Sequence, residues 1–264
     1  MVAEQLITSR DNGRLMAARR VRDGRDKFRI FIEGRRLAEE AVSAGLKITE
    51  CFLSDEFEDA GLVASIDAPT FRMSAKVFKT VADTETPQGI ILVAERAERV
   101  REVVADLPIT IFLSEVNNPS NLGAIIRTAE AAGVGHVILS KGSADPYSPK
   151  ALRASMGSAF RLGILEGATI EDAVSVAHHK GGVVTGSSLD GAASYLDIDW
   201  LRPRMLVFGS EAHGLSDGER KHLDETIRIP MTSDIESLNL AVSAGIILFE
   251  ARRQFTIGGG VGDR

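Results

Sequence analysis

The chain has 264 residues, which is enough for one large or two modest domains, and 44% hydrophobic residues with 26% charged residues are ordinary for a globular protein. Its single cysteine, Cys51, excludes an internal disulfide and a cysteine-based zinc site and fits a reducing compartment, so we expect a cytoplasmic protein. The longest apolar run, residues 241–249, is too short to span a bilayer, and we expect no membrane partner.

Charge is distributed unevenly along the chain, although the net charge of −6 does not by itself indicate a nucleic-acid partner. Residues 1–36 hold ten Lys and Arg against five Asp and Glu, a balance of +5, which leaves −11 for the remainder. A basic element on an acidic body favours a local surface for phosphate groups. The alternative is an ordinary solvated helix face.

The first 96 residues alternate short strands with short helices, which is typical of a small α/β domain. The hydrophobic periodicity predicts strands at 28–33, 48–53, near 71 and at 89–94, and helices at 10–22, 35–44 and 74–81. Residues 97–107 are rich in charge and then turn apolar at Pro108, so we predict a linker there.

Residues 108–257 repeat the alternation more strongly and predict an open, mostly parallel sheet with helices on both faces. The predicted strands are 109–113, 137–139, 162–165, 182–185, 205–208 and 227–229, and the predicted helices are 121–132, 148–159, 170–179, 217–224 and 237–255. Residues 258–264 are rich in glycine, and we expect a disordered tail.

Three polar stretches that contain glycine or helix-capping residues lie at the ends of predicted strands. We name them the first stretch (114–127), the second stretch (206–215) and the third stretch (229–249). Ligands of open α/β sheets bind outside the carboxyl ends of the strands, so these stretches predict a small-molecule cleft. The ordinary alternatives are a solvated helix arginine for Arg127 and a core asparagine bonded to a carbonyl for Asn239.

Two local expectations follow from residue types in these stretches. Gly209 would permit close backbone approach to a ligand. Ser237 would cap a helix over 237–255, which places Asn239 inside an apolar helix.

Several well-known motifs are absent from the sequence, which narrows the chemistry. No Gly-x-Gly-x-x-Gly follows the first strand, which counts against a nucleotide-dependent oxidoreductase. Walker A and Gly-x-Ser-x-Gly patterns do not occur, and the five histidines lack His-Glu-x-x-His spacing, so we expect no metal site.

In this order, the three stretches resemble the three motifs of the SpoU/TrmH class of RNA ribose methyltransferases. The matching positions are Asn121, Gly123, Arg127 and 129–133, then 209–215, then 229–231, 236–239, 244–246 and 249–250, with a further match at 148–157. Residues 31–34 and 86–89 make the N-terminal part similar to the family's ribosomal-protein-L30-like substrate-binding domain. Ser233 departs from the glycine that many members have.

The resemblance implies S-adenosylmethionine as methyl donor and an RNA 2′-hydroxyl as acceptor. It implies a substrate-binding domain at 1–96, a methyltransferase domain at 108–257 with a deep trefoil knot, and a homodimer formed through the C-terminal domain. Large-subunit ribosomal RNA is the implied substrate. A transfer-RNA methyltransferase and a non-catalytic RNA-binding or ribosome-assembly protein on the same fold are the alternatives.

The resemblance also implies which residues form the site, when the family's functional positions are matched to this sequence one by one. Arg127 is the catalytic candidate, and because arginine is essentially never deprotonated in proteins, we favour a grip on the neighbouring phosphate over a role as base. Glu211 is either an alternative base or a brace for its own loop. Asn121, Ser237 and Asn239 would shape the site, and Gly209, Ile229 and Leu238 would contact the cofactor. The basic segment supplies the RNA-binding candidates, which are Arg14, Arg19, Arg20, Arg22, Arg25, Lys27 and Arg35.

Overall fold

The computed structural model describes residues 5–96, 103, 105–232 and 237–258. The chain divides into two compact units, one formed by 1–99 with 146–160 and the other by 100–145 with 161–264. Most of the predicted linker at 97–107 and of the predicted tail at 258–264 lies outside the described residues. Segment 146–160, which the sequence analysis placed in the second domain, groups with the first unit.

The first unit is built on a mixed five-stranded sheet in the order β1-β4-β3-β5-β2. Strands β1, β4 and β3 run parallel, and β5 pairs antiparallel with β3 and β2. Its elements are β1 Gln5–Ile7, α1 Gly13–Arg22, β2 Arg29–Glu33, α2 Arg35–Ser43, β3 Ile48–Ser54, α3 Ala60–Ala64, β4 Thr70–Met73, α4 Ala75–Phe78 and β5 Ile90–Glu95, with α6 Pro149–Ser155 and a 3₁₀ turn at Ser158–Phe160.

Side-chain caps and buried aromatic rings explain why these elements form. Asn12 and Ser74 accept backbone hydrogen bonds at the starts of α1 and α4, which satisfies amides that have no partner within the helix. Phe52 and Phe71 stack in the core with ring centroids 5.5 Å apart. Cys51, which precedes Phe52, is fully buried and serves as a small core residue.

The second unit contains a seven-stranded sheet in the order β10-β12-β9-β11-β6-β7-β8. All the strand pairs described in this sheet are parallel, so the predicted parallel α/β sheet is confirmed. Its elements are β6 Ile109–Leu113, α5 Pro119–Ala132, β7 His136–Ser140, β8 Gly163–Ala168, α7 Ile170–His179, β9 Val183–Ser187, β10 Ala193–Ser194, a 3₁₀ turn at Tyr195–Asp197, β11 Arg204–Phe208, α8 Asp217–Arg220, β12 Glu225–Arg228 and α9 Leu240–Ile257.

Elements β10 and α8 of this unit differ from the prediction. The short edge strand β10 was not predicted, and α8 is a single turn rather than a helix over 217–224. Helix α8 begins with a capping box between Ser216 and Glu219 but ends early, because the Asp224 amide and carboxylate bond to Val184 in β9. The trefoil knot stays a prediction, since residues 233–236 on the path from β12 to α9 are outside the described range.

Within the described part of the chain, none of the helices combines the length and hydropathy needed to cross a bilayer.

Candidate active site

The strand order brings four loops of the second unit to one edge of the sheet. Strands β12, β9, β11 and β6 are neighbours and run parallel, so their carboxyl ends lie side by side. A cleft of about 670 Å³ lies at this edge, within the range of about 300–1,000 Å³ that is typical of small-molecule sites. The three stretches therefore converge, as the parallel-sheet rule predicts.

Seven of the eight predicted catalytic and cofactor-binding residues line this cleft. They are Asn121, Gly209, Glu211, Ile229, Ser237, Leu238 and Asn239. The structure thus brings together residues from all three stretches.

A chain of side-chain hydrogen bonds ties the three stretches to one another. Asn239 Nδ2 donates to Asn121 Oδ1 at 3.2 Å, and Asn121 Nδ2 donates to Glu211 Oε1 at 2.9 Å. Asn121 lies in the first turn of α5, where Asn118 caps the helix and Pro119 follows the cap. Because its amide both accepts and donates, Asn121 lies at the centre of this chain. Glu211 is held as an acceptor in this arrangement, which fits a bracing role.

Asn239, not Ser237, caps the last helix, so the prediction for these two residues was wrong. Asn239 Oδ1 accepts hydrogen bonds from the amides of Ala241 at 2.9 Å and Val242 at 3.3 Å, and α9 begins at Leu240. Ser and Asn are about equally good caps, so sequence preference does not choose between them. The bond from the Asn239 amide to Asn121 favours Asn239, which is exposed at the cleft rather than buried in a helix.

The tight turn of its own loop leaves room only for glycine at position 209. Ser210 and Gly214 exchange two backbone hydrogen bonds of 3.0 and 2.9 Å, which closes the second stretch into a tight turn. A Cβ at position 209 would lie 2.1 Å from the Gly214 carbonyl carbon and 2.3 Å from the Leu215 nitrogen. The close approach that glycine permits is therefore between two backbone segments of the turn that carries Glu211.

Among the eight predicted catalytic and cofactor-binding residues, Arg127 is the one that does not line the cleft. Helix α5 buries Leu122, Ile125 and Ala129, and the Arg127 side chain is exposed on another face. Gly123, one helical turn before Arg127, is buried and does not line the cleft either. Among the described residues, the Arg127 guanidinium has no recorded hydrogen-bond or ion-pair partner.

Sequence reasoning missed a fourth loop, residues 187–190, and Arg220 in α8, all of which line the cleft. The sequence analysis ended the preceding strand at residue 185, whereas β9 continues to Ser187. A usable signal was present, because Ser188, Asp190 and Gly191 are turn-forming residues at the carboxyl end of a parallel strand.

The predicted RNA-binding residues fall into different environments in the first unit. Arg14 pairs with Glu50 at 2.8 Å, Arg19 donates to the Thr80 carbonyl at 3.0 Å, and Arg35 pairs with Asp59 at 2.8 Å. Arg22 donates to two backbone carbonyls, those of residues 81 and 82. Arg20 and Arg25 are exposed, and their guanidinium groups have no hydrogen-bond or ion-pair partner among the described residues; Lys27 is also exposed. Part of the basic segment therefore forms hydrogen bonds and ion pairs within the folded unit.

Comparison with known proteins adds the following likenesses. Residues 108–249 match the model of the SpoU rRNA Methylase family, and residues 13–92 match that of the MRM3-like substrate binding domain. The chain is 32% identical over 223 residues to the 23S rRNA (guanosine(2553)-2′-O)-methyltransferase RlmP of Bacillus subtilis, covering 84% of this chain and 88% of that protein.

Similarity to solved structures extends over 95% of the chain. The AdoMet-bound rRNA methyltransferase from Sinorhizobium meliloti is 31% identical with a TM-score of 0.82 and is matched over 95% of this chain and 98% of that one. The SpoU methyltransferase AviRb from Streptomyces viridochromogenes, in complex with the cofactor AdoMet (S-adenosylmethionine), is 27% identical with a TM-score of 0.83 and is matched over 95% and 100%.

Proposed function

The chain belongs to the SpoU rRNA methylase family, and from that membership we propose that its cleft carries out the family's reaction. The reaction is S-adenosylmethionine-dependent methylation of a ribose 2′-hydroxyl in ribosomal RNA. The observation that carries the assignment is the family match over 108–249, which contains every residue of the Asn121–Glu211–Asn239 hydrogen-bond chain.

The residues of the cleft fit S-adenosylmethionine. Leu215, Ile229 and Leu238 supply apolar surface of the kind that suits an adenine ring. Glu211 supplies a carboxylate, which favours the positive charge of a sulfonium or an ammonium group. When bound, S-adenosylmethionine supplies an electrophilic methyl group.

The protein's part in the reaction is to align the ribose hydroxyl and to favour loss of its proton. Alignment of reacting groups is worth several kcal/mol of the barrier. We assign Arg127 to the phosphate beside the reacting ribose, where its fixed charge would lower the pKa of the hydroxyl. Its exposure and its position outside the cleft suit contact with the RNA rather than with the cofactor.

Mapping of 2′-O-methyl groups tests the function. Large-subunit ribosomal RNA and transfer RNA from cells with and without this chain are compared position by position. We expect one ribose of the large-subunit RNA to lose its methyl group in the deleted strain and to regain it when the chain is restored. Loss confined to transfer RNA would support the alternative substrate, and an unchanged map would refute the function.

We propose that the exposed arginines of the basic segment contact RNA phosphates, with Arg20 and Arg25 contributing most because no recorded protein group competes for them. RNA affinity should fall steeply with salt, and the double variant Arg20→Gln/Arg25→Gln should lower the slope of log K against log salt by about two. Filter binding over a salt series measures the slope. Lys47→Gln, which removes an exposed charge paired with Glu95, is the control. A flat salt response of the wild type would contradict the proposal.

We also propose a homodimer formed through the second unit, acting in the cytoplasm. Helix α9 buries Ala244, Ile247 and Leu248 on one side, yet Val242 and Phe249, seven positions apart, remain 50% and 51% exposed on another. An apolar helix face of this kind is typical of an interface between identical chains.

Phe249→Glu should therefore convert the dimer to a monomer, because it places a charge in the proposed apolar contact. Light scattering after gel filtration measures the mass. Val176→Glu on α7, where the side chain is 55% exposed, is the matched control and should leave the mass unchanged. A wild-type chain that is monomeric at all concentrations would refute the dimer.

A further inference from the structure

The fourth loop is tied to the second stretch by one side chain, Arg220. Its Nη2 atom donates to Ser188 Oγ at 2.8 Å and to Asp190 Oδ1 at 3.1 Å, and its Nε atom donates to the Leu215 carbonyl at 3.3 Å. The Ser188 hydroxyl in turn donates to the Asp190 carboxylate. A guanidinium with several donors in a fixed plane can hold two loops at once, which lysine cannot do in the same way.

Arg220 belongs to α8, which is held in place by its cap and by the packing of its neighbours. The capping box of Ser216 and Glu219 fixes the turn of α8. Leu215 and Leu223 pack closely on Gly186 of β9, where a Cβ would lie 2.9 and 2.4 Å from their Cδ1 atoms. The guanidinium is therefore carried by packed structure, whereas the Asp190 side chain that it holds is 71% exposed.

Charge keeps this contact in place at neutral pH. The hydrogen bonds from the Ser188 hydroxyl and from Arg220 hold the pKa of the Asp190 carboxyl below its ordinary value. A carboxylate with a lowered pKa stays ionised above its unfolded pKa, and the contact is lost only as the pH falls through the folded pKa. The contact is thus present at neutral pH.

We propose that Arg220 is a positioning residue that holds the fourth loop as one wall of the cleft and thereby sets the affinity for S-adenosylmethionine. This inference rests on the proposed function of the cleft. Because Arg220 holds the loop in place before the cofactor binds, the loop loses less conformational entropy on binding. Removal of the Arg220 guanidinium therefore weakens cofactor binding and leaves the rate at saturating cofactor unchanged.

Calorimetric titration with S-adenosylmethionine tests the inference. Arg220→Gln should raise the Kd about three- to tenfold, as expected for one partly exposed charged contact together with loop ordering. Arg220→Lys should give an intermediate Kd. In a methylation assay the KM for the cofactor should rise by the same factor in Arg220→Gln, with kcat within twofold of wild type. Arg202→Gln, which removes an exposed arginine outside the cleft, should match the wild type.

Asp190→Asn distinguishes positioning from direct contact with the cofactor. If Arg220 acts through the loop, Asp190→Asn weakens binding as Arg220→Gln does, and the double variant is no worse than either single variant. If Arg220 binds the cofactor itself, Asp190→Asn frees its guanidinium and leaves affinity equal or tighter, which would overturn the inference. Should Arg220→Gln lower the Tm strongly, the exposed Asp190 substitution still carries the test.

The outcome also separates this inference from the proposed function. A wild-type chain that does not bind S-adenosylmethionine would refute both. A wild-type chain that binds, with both variants within twofold of it, would refute the positioning role alone.

Discussion

Gly209→Ala should raise the Kd for S-adenosylmethionine by about 10- to 100-fold, because the new methyl group meets backbone rather than a movable side chain. The nearest atoms to a Cβ at 209 are the Gly214 carbonyl carbon at 2.1 Å, the Gly214 oxygen at 2.2 Å and the Leu215 nitrogen at 2.3 Å. The two hydrogen bonds between Ser210 and Gly214 must break to admit it, and the turn that carries Glu211 must then open.

Titration calorimetry measures the loss, and Gly218→Ala is the matched control. The nearest atom to a Cβ at 218 is Ser216 Oγ at 3.8 Å, which is ordinary contact, so that variant should bind like the wild type. Thermal unfolding of both variants separates a local opening of the turn from general unfolding. Unchanged affinity in Gly209→Ala would show that the closed turn is not part of the cofactor site.

Arg127→Ala should lower methyl transfer by about 10²- to 10³-fold, the usual cost of removing one charge-stabilising group from an active site. Cofactor affinity should stay within twofold of wild type, because Arg127 lies outside the cleft. The expected loss of methyl-transfer rate follows from the position of Arg127 in the family motif. The expected unchanged cofactor affinity follows from its position outside the cleft.

Rates at saturating RNA and cofactor, measured beside calorimetric Kd values, check this prediction. Arg202→Ala removes another exposed arginine of the same unit and should retain full activity. Arg127→Lys keeps the positive charge but not the planar guanidinium group, so its rate should lie between those of Arg127→Ala and the wild type. If Arg127→Ala loses cofactor binding, the assignment of Arg127 to the RNA phosphate is wrong.

The convergence of the three stretches was predictable because it depends on strand direction alone. Once β6, β11 and β12 are predicted to be parallel, their carboxyl ends must share an edge, and Asn121, Glu211 and Asn239 must lie near one another. The fourth loop satisfies the same rule. It was missed because β9 continues two residues beyond its predicted end.

Other features depend on partners that are remote in sequence and cannot be read from local pattern. Asn239 was favoured over Ser237 as the cap by Asn121, 118 residues away. Arg14 and Arg19 were predicted to bind RNA because they belong to a basic run, yet their partners Glu50 and Thr80 are 36 and 61 residues away. Residue type and spacing give the charge of a segment, whereas only the folded sheet decides which charges are already paired.

A crystal structure of the chain with S-adenosylmethionine tests the central claim most directly. We expect the adenosine to contact the turn at 209–215, Ile229 and Leu238, with the methyl group open to solvent beside Asn121 and Asn239. Cofactor bound at another place, or these residues facing a different ligand, would contradict the account.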